Sequence, residues 1–163
     1  MKKSNTLRER ILTPEELKQE VKRIRLKSKS IAFTNGVFDI LHEGHIAVLS
    51  EAASFADVLI VGVNSDASVK KLKGENRPIN NENSRALIIA SLIMVDVVVI
   101  FNEETPIELI KMIQPDVLVK GGDYTMDTVV GAKEVLNAGG RVEIVPIREG
   151  FSTTGIIKSI SEK

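Results

Sequence analysis

Cysteine is absent from the 163-residue chain. That excludes a disulfide framework and every thiolate zinc site, and it suits a reducing compartment, so a cytoplasmic location is expected. Neither sign of charge is in excess, with 22 Lys plus Arg against 22 Asp plus Glu. A neutral chain lacks the broad electrostatic footprint that nucleic acid or an anionic membrane requires, so neither is an expected partner. Any anion must be held by locally placed groups. No apolar run is long enough to span a bilayer. The most hydrophobic stretch, residues 86–101, falls short of the ~20 residues needed and is interrupted by Asp96, which suits a buried helix leading into a buried strand. The basic start Met1-Lys2-Lys3-Ser4-Asn5 has no apolar stretch behind it, so no signal peptide is expected. Internal repeats, low-complexity tracts, a G-x-G-x-x-G dinucleotide fingerprint, a P-loop and a G-x-S-x-G nucleophile motif are also missing.

The apolar content that remains is ordinary at 43%, and a chain of this length buries roughly 68–70% of its unfolded surface without staples. Largely apolar runs at 31–33, 58–63, 95–101, 117–119 and 142–145, not strictly alternating, predict five strands covered on both faces. Helical patterns lie between them, over 44–55, 65–72, 83–94, 105–114 and 128–138, with a last one over 154–160. Thr13-Pro14-Glu15-Glu16 is a capping box with proline at the first helical position and opens a helix to about Lys27; Thr105-Pro106-Ile107-Glu108 repeats the pattern. Strand and helix alternate along the chain, which predicts an α/β fold, a doubly wound five-stranded parallel sheet of Rossmann-like form. Residues 1–29 read as an N-terminal helical extension and 30–163 as the main domain. Ligands of such folds bind outside the carboxyl ends of the strands, where strand order reverses.

Both histidines of the chain fall in one motif, His42-Glu43-Gly44-His45, directly after the first apolar run and at the mouth of a helix. A helix start offers unpaired N–H groups and a positive dipole end to an anion. Residues three apart lie on nearly one face, and Gly44 removes a side chain between them. The pair therefore suits a polyphosphate, although structural roles and metal ligation are also open to two histidines. The zinc spacing with two histidines four apart around a glutamate is not met. The preceding Thr34-Asn35-Gly36-Val37-Phe38-Asp39 reads as strand meeting loop; a plain turn would explain Asn-Gly equally well. Lys70-Lys71-Leu72-Lys73-Gly74 with Arg77-Pro78 is a basic cluster suited to a second anionic group or to a solvated surface. Lys120-Gly121-Gly122-Asp123 ends a strand, and its glycines would admit a nucleobase or make a turn. Gly150-Phe151-Ser152-Thr153-Thr154-Gly155 precedes the last predicted helix and carries more hydroxyls than capping needs.

Taken together, Thr34–His45 and Ser152-Thr153-Thr154 resemble the two motifs of the cytidylyltransferase-like branch of the H-x-G-H nucleotidyltransferases. Over 64–78, 115–146 and 150–160 the chain looks closest to the adenylyltransferases of bacterial ADP-heptose synthesis, which are often fused behind a sugar kinase. Val37 stands where those proteins usually have cysteine. The resemblance implies transfer of AMP from ATP to a heptose 1-phosphate, with Mg2+ held mainly by the substrate phosphates and with no metal site on the protein. It also implies a separate sugar kinase and leaves room for a homodimer. On the same resemblance His42, His45 and Lys73 are the expected catalytic residues. Thr34, Asn35, Gly36, Phe38, Lys120, Gly122, Asp123, Ser152, Thr153 and Thr154 would join the histidines in binding the nucleotide. Asp39, Asp66, Lys73, Arg77 and Arg85 would face the second substrate. A cytidylyltransferase acting on glycerol 3-phosphate or another alcohol phosphate is the nearest rival. A non-catalytic nucleotide sensor and a structural subunit come after it.

Overall fold

The computed structural model describes residues 7–122 and 124–146. The capping box at Thr13 forms as the sequence requires: Glu16 N–H donates to Thr13 Oγ1 at 3.2 Å, and Thr13 N–H donates back to Glu16 Oε2 at 2.8 Å. It opens α1 (Pro14–Leu26), whose Leu17, Val21 and Ile24 are buried. β2 (Ile31–Gly36) leads into α2 (Glu43–Ser54), and β3 (Val58–Asn64), buried at every position, leads into α3 (Asp66–Lys73). Ser65 and Asn81 accept from backbone N–H groups and so cap α3 and α4 (Glu82–Ala90). β4 (Val97–Phe101), α5 (Ile107–Ile113), β5 (Val117–Gly121), α6 (Ala132–Asn137) and β6 (Arg141–Val145) follow.

Every strand pairs in parallel, in the order β1-β4-β3-β2-β5-β6, where β1 is the two-residue strand Ile11–Leu12. The fold is thus the expected doubly wound α/β sheet, with six strands rather than five. The extra strand joins the edge through Ile11↔Val98 and Leu12↔Val99, too short for a periodicity to announce it. Arg10 secures it by donating to Val95 O at 2.9 Å. Other expectations shift. Strand β2 runs on through Thr34, Asn35 and Gly36, paired with β3 as far as Gly36↔Val63, so these three residues are strand and not loop. Helix α4 stops at Ala90, four residues early, in a turn at Ser91. At α5 no side chain caps the helix start, because Pro106 occupies that position. Helix α6 starts only at Ala132, after Gly131 in the left-handed region (φ 86°). The helix expected over 154–160 lies outside the described residues.

Two apolar layers sandwich the sheet. One gathers α1, α5 and α6 around Ile31, Phe33, Ile60 and Leu118; the other gathers α2 and α4 around Ala32, Val61, Val98 and Val119. The amino edge of the sheet is closed by three aspartates, each standing just before a strand. Asp57 accepts from Ser30 N–H, Asp96 from Leu59 N–H and Asp116 from Ile31 N–H, so each carboxylate satisfies a backbone donor near the start of the strand next door. The carboxyl edge has no such closure among the described residues.

Helix α1 supplies part of the first core layer, and Leu17 within it is wholly buried. Leu17→Ala should therefore cost about 2–5 kcal/mol, as a cavity-forming core truncation does, and lower the urea midpoint accordingly. A midpoint unchanged from wild type would show that α1 is dispensable to the core.

Candidate active site

Strand order reverses between β2 and β5: the chain winds from β2 to β3 and β4 on one side, then crosses to β5 and β6 on the other. The two strands separate there. Their register holds only at Ala32↔Val117 and Phe33↔Leu118, whereas β2 and β3 stay paired to the end. A cavity of about 410 Å³ opens over the split, a volume within the range of small-molecule sites. Thr34, Asn35 and Gly36 line it from β2, Asn64 from β3, and Lys120 and Gly121 from β5, with His45 and Val48 from α2 and Lys73 and Arg77 from beyond β3.

His42 stands at the N-cap of α2 with extended backbone (φ −142°, ψ 171°) and does not cap the helix with its side chain. Its ring stacks on His45 at 3.8 Å between centroids, and the Phe38 ring meets His45 edge-on at 5.3 Å. The Nδ1 atoms of both histidines are buried and have no hydrogen-bond partner among the described residues. Burial pushes the His42 pKa below the ordinary histidine value, and burial together with the charge of His42 pushes His45 down to about 4. At neutral pH both rings are therefore neutral. A neutral ring with a buried, unpartnered Nδ1 would carry its proton on Nε2.

The loop that presents the histidines is held by buried charge. Asp39 is 2% exposed; its carboxylate accepts from Arg77 Nε at 2.7 Å, Ile79 N–H at 2.9 Å and Asn80 N–H at 2.9 Å. Burial alone would raise the pKa of this carboxyl, but the two backbone donors and Arg77 hold it below the usual carboxylate range. Arg85, fully buried, donates from Nε to Asn80 O, from Nη1 to Val37 O at 2.6 Å and from Nη2 to Asp66 Oδ1 at 2.7 Å. Between these clamps Phe38 sits at φ 49°, a left-handed conformation uncommon for a bulky residue. Its ring leaves no room for a side chain at position 36, where a Cβ would lie 3.0 Å from it.

The expected residues thus divide. Thr34, Asn35, Gly36, Phe38, Lys120, His45, Lys73 and Arg77 line one cavity, and His42 stacks against it. Asp39 lines it as well, but its carboxylate is spent on Arg77 and two amides. Arg85 and Asp66, expected at the second substrate, do not line it: they pair with each other, and Arg85 has no solvent-facing surface. Their contacts make them positioning residues for the loop. Gly122 (φ 134°) sits just behind the lining and donates to Val145 O at 3.0 Å. Asp123, Ser152, Thr153 and Thr154 lie outside the described residues. Sequence reasoning missed Asn64, Val48 and Tyr124 as lining residues. A signal existed for Asn64, a lone polar residue at the carboxyl end of the apolar run 58–63. Val48 could be found only through packing: it stands one turn after His45, and a Cβ on Gly121 would lie 2.5 Å from its Cγ2.

A family model described as cytidylyltransferase-like matches residues 33–159. Two curated relatives, each called bifunctional protein HldE, come from Koribacter versatilis (54% identical over 149 residues, 91% of this chain) and Aliarcobacter butzleri (55% over 152 residues, 93% of this chain). The match spans 31% of the length of each. Among solved structures, a lipopolysaccharide core biosynthesis protein from Thermoplasma volcanium superposes with a TM-score of 0.60 at 33% identity, covering 74% of this chain and 97% of the other. A pantoate-beta-alanine ligase from Francisella tularensis shares the fold at 17% identity, with a TM-score of 0.59 over 93% of this chain and 76% of its own.

The depressed histidines set a pH dependence of stability. The unfolded chain takes up protons near pH 6.5, while folded His45 refuses one until about pH 4. Stability is therefore full above about 6.5 and falls as pH drops toward 4. Asp39 and Asp116, with depressed pKa values, add losses only below that window. Urea midpoints across pH 7 to 4 should fall for the wild type and fall less for His45→Gln. An imidazole proton resonance of His45 titrating near 6.5 would contradict the burial that causes the shift.

Proposed function

The chain belongs to the cytidylyltransferase-like family of nucleotidyltransferases, and from that premise we propose that it transfers AMP from ATP to the phosphate of a sugar 1-phosphate, a heptose 1-phosphate, giving the ADP-sugar and pyrophosphate. The observation that carries this reading is the cavity at the β2/β5 split. It brings together His45, stacked on His42 at a helix start, and the cations Lys73 and Arg77. Two anions meeting in one cavity need two such poles. The high identity to the proteins called bifunctional protein HldE supports the sugar assignment, as does the lipopolysaccharide-related title of the Thermoplasma protein.

In this reaction an oxygen of the sugar phosphate attacks the α-phosphorus of ATP. A new P–O–P linkage forms, the bond from the α-phosphorus to the bridging oxygen breaks, and its electron pair leaves with pyrophosphate. The attacking phosphate, with a second pKa near ~6, is already largely ionised at neutral pH, so no general base is needed. What remains for the protein is alignment and stabilisation of the charge that grows on the leaving group. His42 and His45 donate from Nε2–H toward that charge, beside the start of α2. Lys73, exposed at the end of α3, and the Nη atoms of Arg77 receive the incoming phosphate; the Arg77 Nε is already engaged by Asp39. A Mg2+ ion would be held mainly by the phosphate oxygens of ATP, as that ion prefers, and would neutralise charge there. The 1-phosphate of the acceptor would be installed beforehand by a sugar kinase.

Pyrophosphate release measured with ATP or CTP against heptose 1-phosphate, other sugar 1-phosphates and glycerol 3-phosphate tests the assignment. Turnover should be highest with ATP and the heptose phosphate; preference for CTP with an alcohol phosphate would overturn it. His45→Ala should lower kcat by about 100-fold or more while the KM for ATP moves only a few-fold. Equal kcat in mutant and wild type would remove the histidine from the chemistry.

A further inference from the structure

Among the described residues that line the cavity, Lys120 is the cation that is part-buried and has no charged partner. Its Nζ donates to the neutral Asn35 Oδ1 at 2.7 Å and lies 5.9 Å from the centroid of the Tyr124 ring. No carboxylate among the described residues pairs with it. A part-buried ammonium without a counter-charge is expensive unless an anion completes its surroundings. By contrast, Arg77 has Asp39 and Arg85 has Asp66.

The position of the pair is set by topology. Beyond Phe33↔Leu118 the β2–β5 ladder ends, and Asn35 and Lys120 are the residues that would have faced each other next but one. Alternation puts both on the face of Phe33 and Leu118, which α1, α5 and α6 cover, while Thr34 and Gly121 face α2. The side chains thus close the split that the backbone leaves open, on the face opposite the histidines. A ligand lying over the strand ends is held from α2 on one side and by this pair on the other. With the leaving phosphates at the histidines and the acceptor phosphate toward Lys73 and Arg77, the anionic group left to lie over the split is the α-phosphate.

We infer that Lys120 binds the α-phosphate of the nucleotide, and that Asn35 is the neutral partner that holds its ammonium over the β2/β5 split. The inference rests on the nucleotide-binding reading above and adds to it the atom that is bound. A neutral partner matters here. A carboxylate at position 35 would compete with the phosphate, whereas a carboxamide yields the ammonium without a charge penalty. Burial lowers the Lys120 pKa to about 8, so protonation, and with it affinity for phosphate, declines as pH rises past that value. Among the described residues the groups facing it do not offset this: Asn35 is neutral, Tyr124 presents its ring, His45 is neutral above about pH 4, Asp39 is tied to Arg77, and Lys73 and Arg77 carry the same sign. Bound phosphate stabilises the ammonium, so the alkaline limb of kcat lies at higher pH than that of kcat/KM for ATP.

Equilibrium binding of AMP and of adenosine to wild type, Lys120→Met and Lys120→Arg separates the possibilities. Lys120→Met should weaken AMP by roughly ten- to hundredfold, as loss of a charged hydrogen bond does, and leave adenosine unchanged. Lys120→Arg should retain most of the AMP affinity. An unaltered AMP affinity in Lys120→Met overturns the inference, and so does an equal loss for AMP and adenosine, which would mean a nucleoside contact or a disturbed fold. In the pyrophosphate assay, wild-type kcat/KM for ATP should fall above about pH 8, and Asn35→Asp should move that limb upward while raising the KM. If the wild type binds AMP but releases no pyrophosphate with any acceptor, the proposed reaction fails and the Lys120 assignment stands on the binding data alone.

Discussion

The end of pairing between β2 and β5 is the constraint on which the site depends. A doubly wound sheet must reverse its winding somewhere, and at that point the loops leaving two adjacent strands go to opposite faces. Here β2 turns toward α2 after Gly36, while β5 continues toward α6. Once the ladder stops at Phe33↔Leu118, the last residues of both strands are freed from mutual hydrogen bonding. Their side chains can then face a ligand. The amino edge shows the opposite solution, since Asp57, Asp96 and Asp116 consume backbone donors there. Closure at one edge leaves the other as the place where polar groups of the sheet await partners.

Holding that edge in shape falls to two buried charges on the flank of the cavity. Asp39 and Arg85 do not touch each other, yet both grip Asn80, one at its N–H and the other at its C=O. Together they join the loop after β2 to the segment before α4. Removing either would strand its own partners in a largely dry environment, which costs more than the contact contributes. The basic residues of the cavity therefore differ in kind. Arg85 has every nitrogen engaged and sets the position of Val37, and through it of the strained Phe38. Lys73 and Lys120 retain donors that the fold does not use.

Much of this was legible in the residues. The apolar runs at 31–33, 58–63, 97–101 and 117–119 read as covered strands and their alternation with capped helices as a parallel sheet, whereas the run at 142–145, broken by Glu143, is a partly exposed edge strand. The histidine pair, the Lys73–Arg77 cluster and Lys120 were readable because each stands at the carboxyl end of a strand or just beyond a helix. The remainder depended on long-range contacts. Ile11–Leu12 is a strand only because Val98 and Val99 lie beside it. Arg85 is placed at the second substrate by the family resemblance alone; its burial against Val37 O and Asp66 reveals a clamp. Thr34–Gly36 reads as loop because Asn-Gly favours turns. Yet Gly36 is needed there for the Phe38 ring, and the ladder to β3 keeps the segment extended.

The stacking of His42 on His45 limits how the pair handles charge. With centroids 3.8 Å apart, two imidazolium ions would repel by about 4 kcal/mol even at an effective dielectric constant of 20. The rings therefore cannot both be cations before an anion arrives, and burial makes His45 the worse place for a proton. In the proposed reaction a triphosphate would place negative charge against both rings. His45, packed between His42 and Phe38, is the ring that burial and its neighbour hold most firmly neutral. A neutral donor of fixed geometry gains strength as charge develops on a leaving group. The overall neutrality of the chain is consistent with this: its positive charge is committed locally.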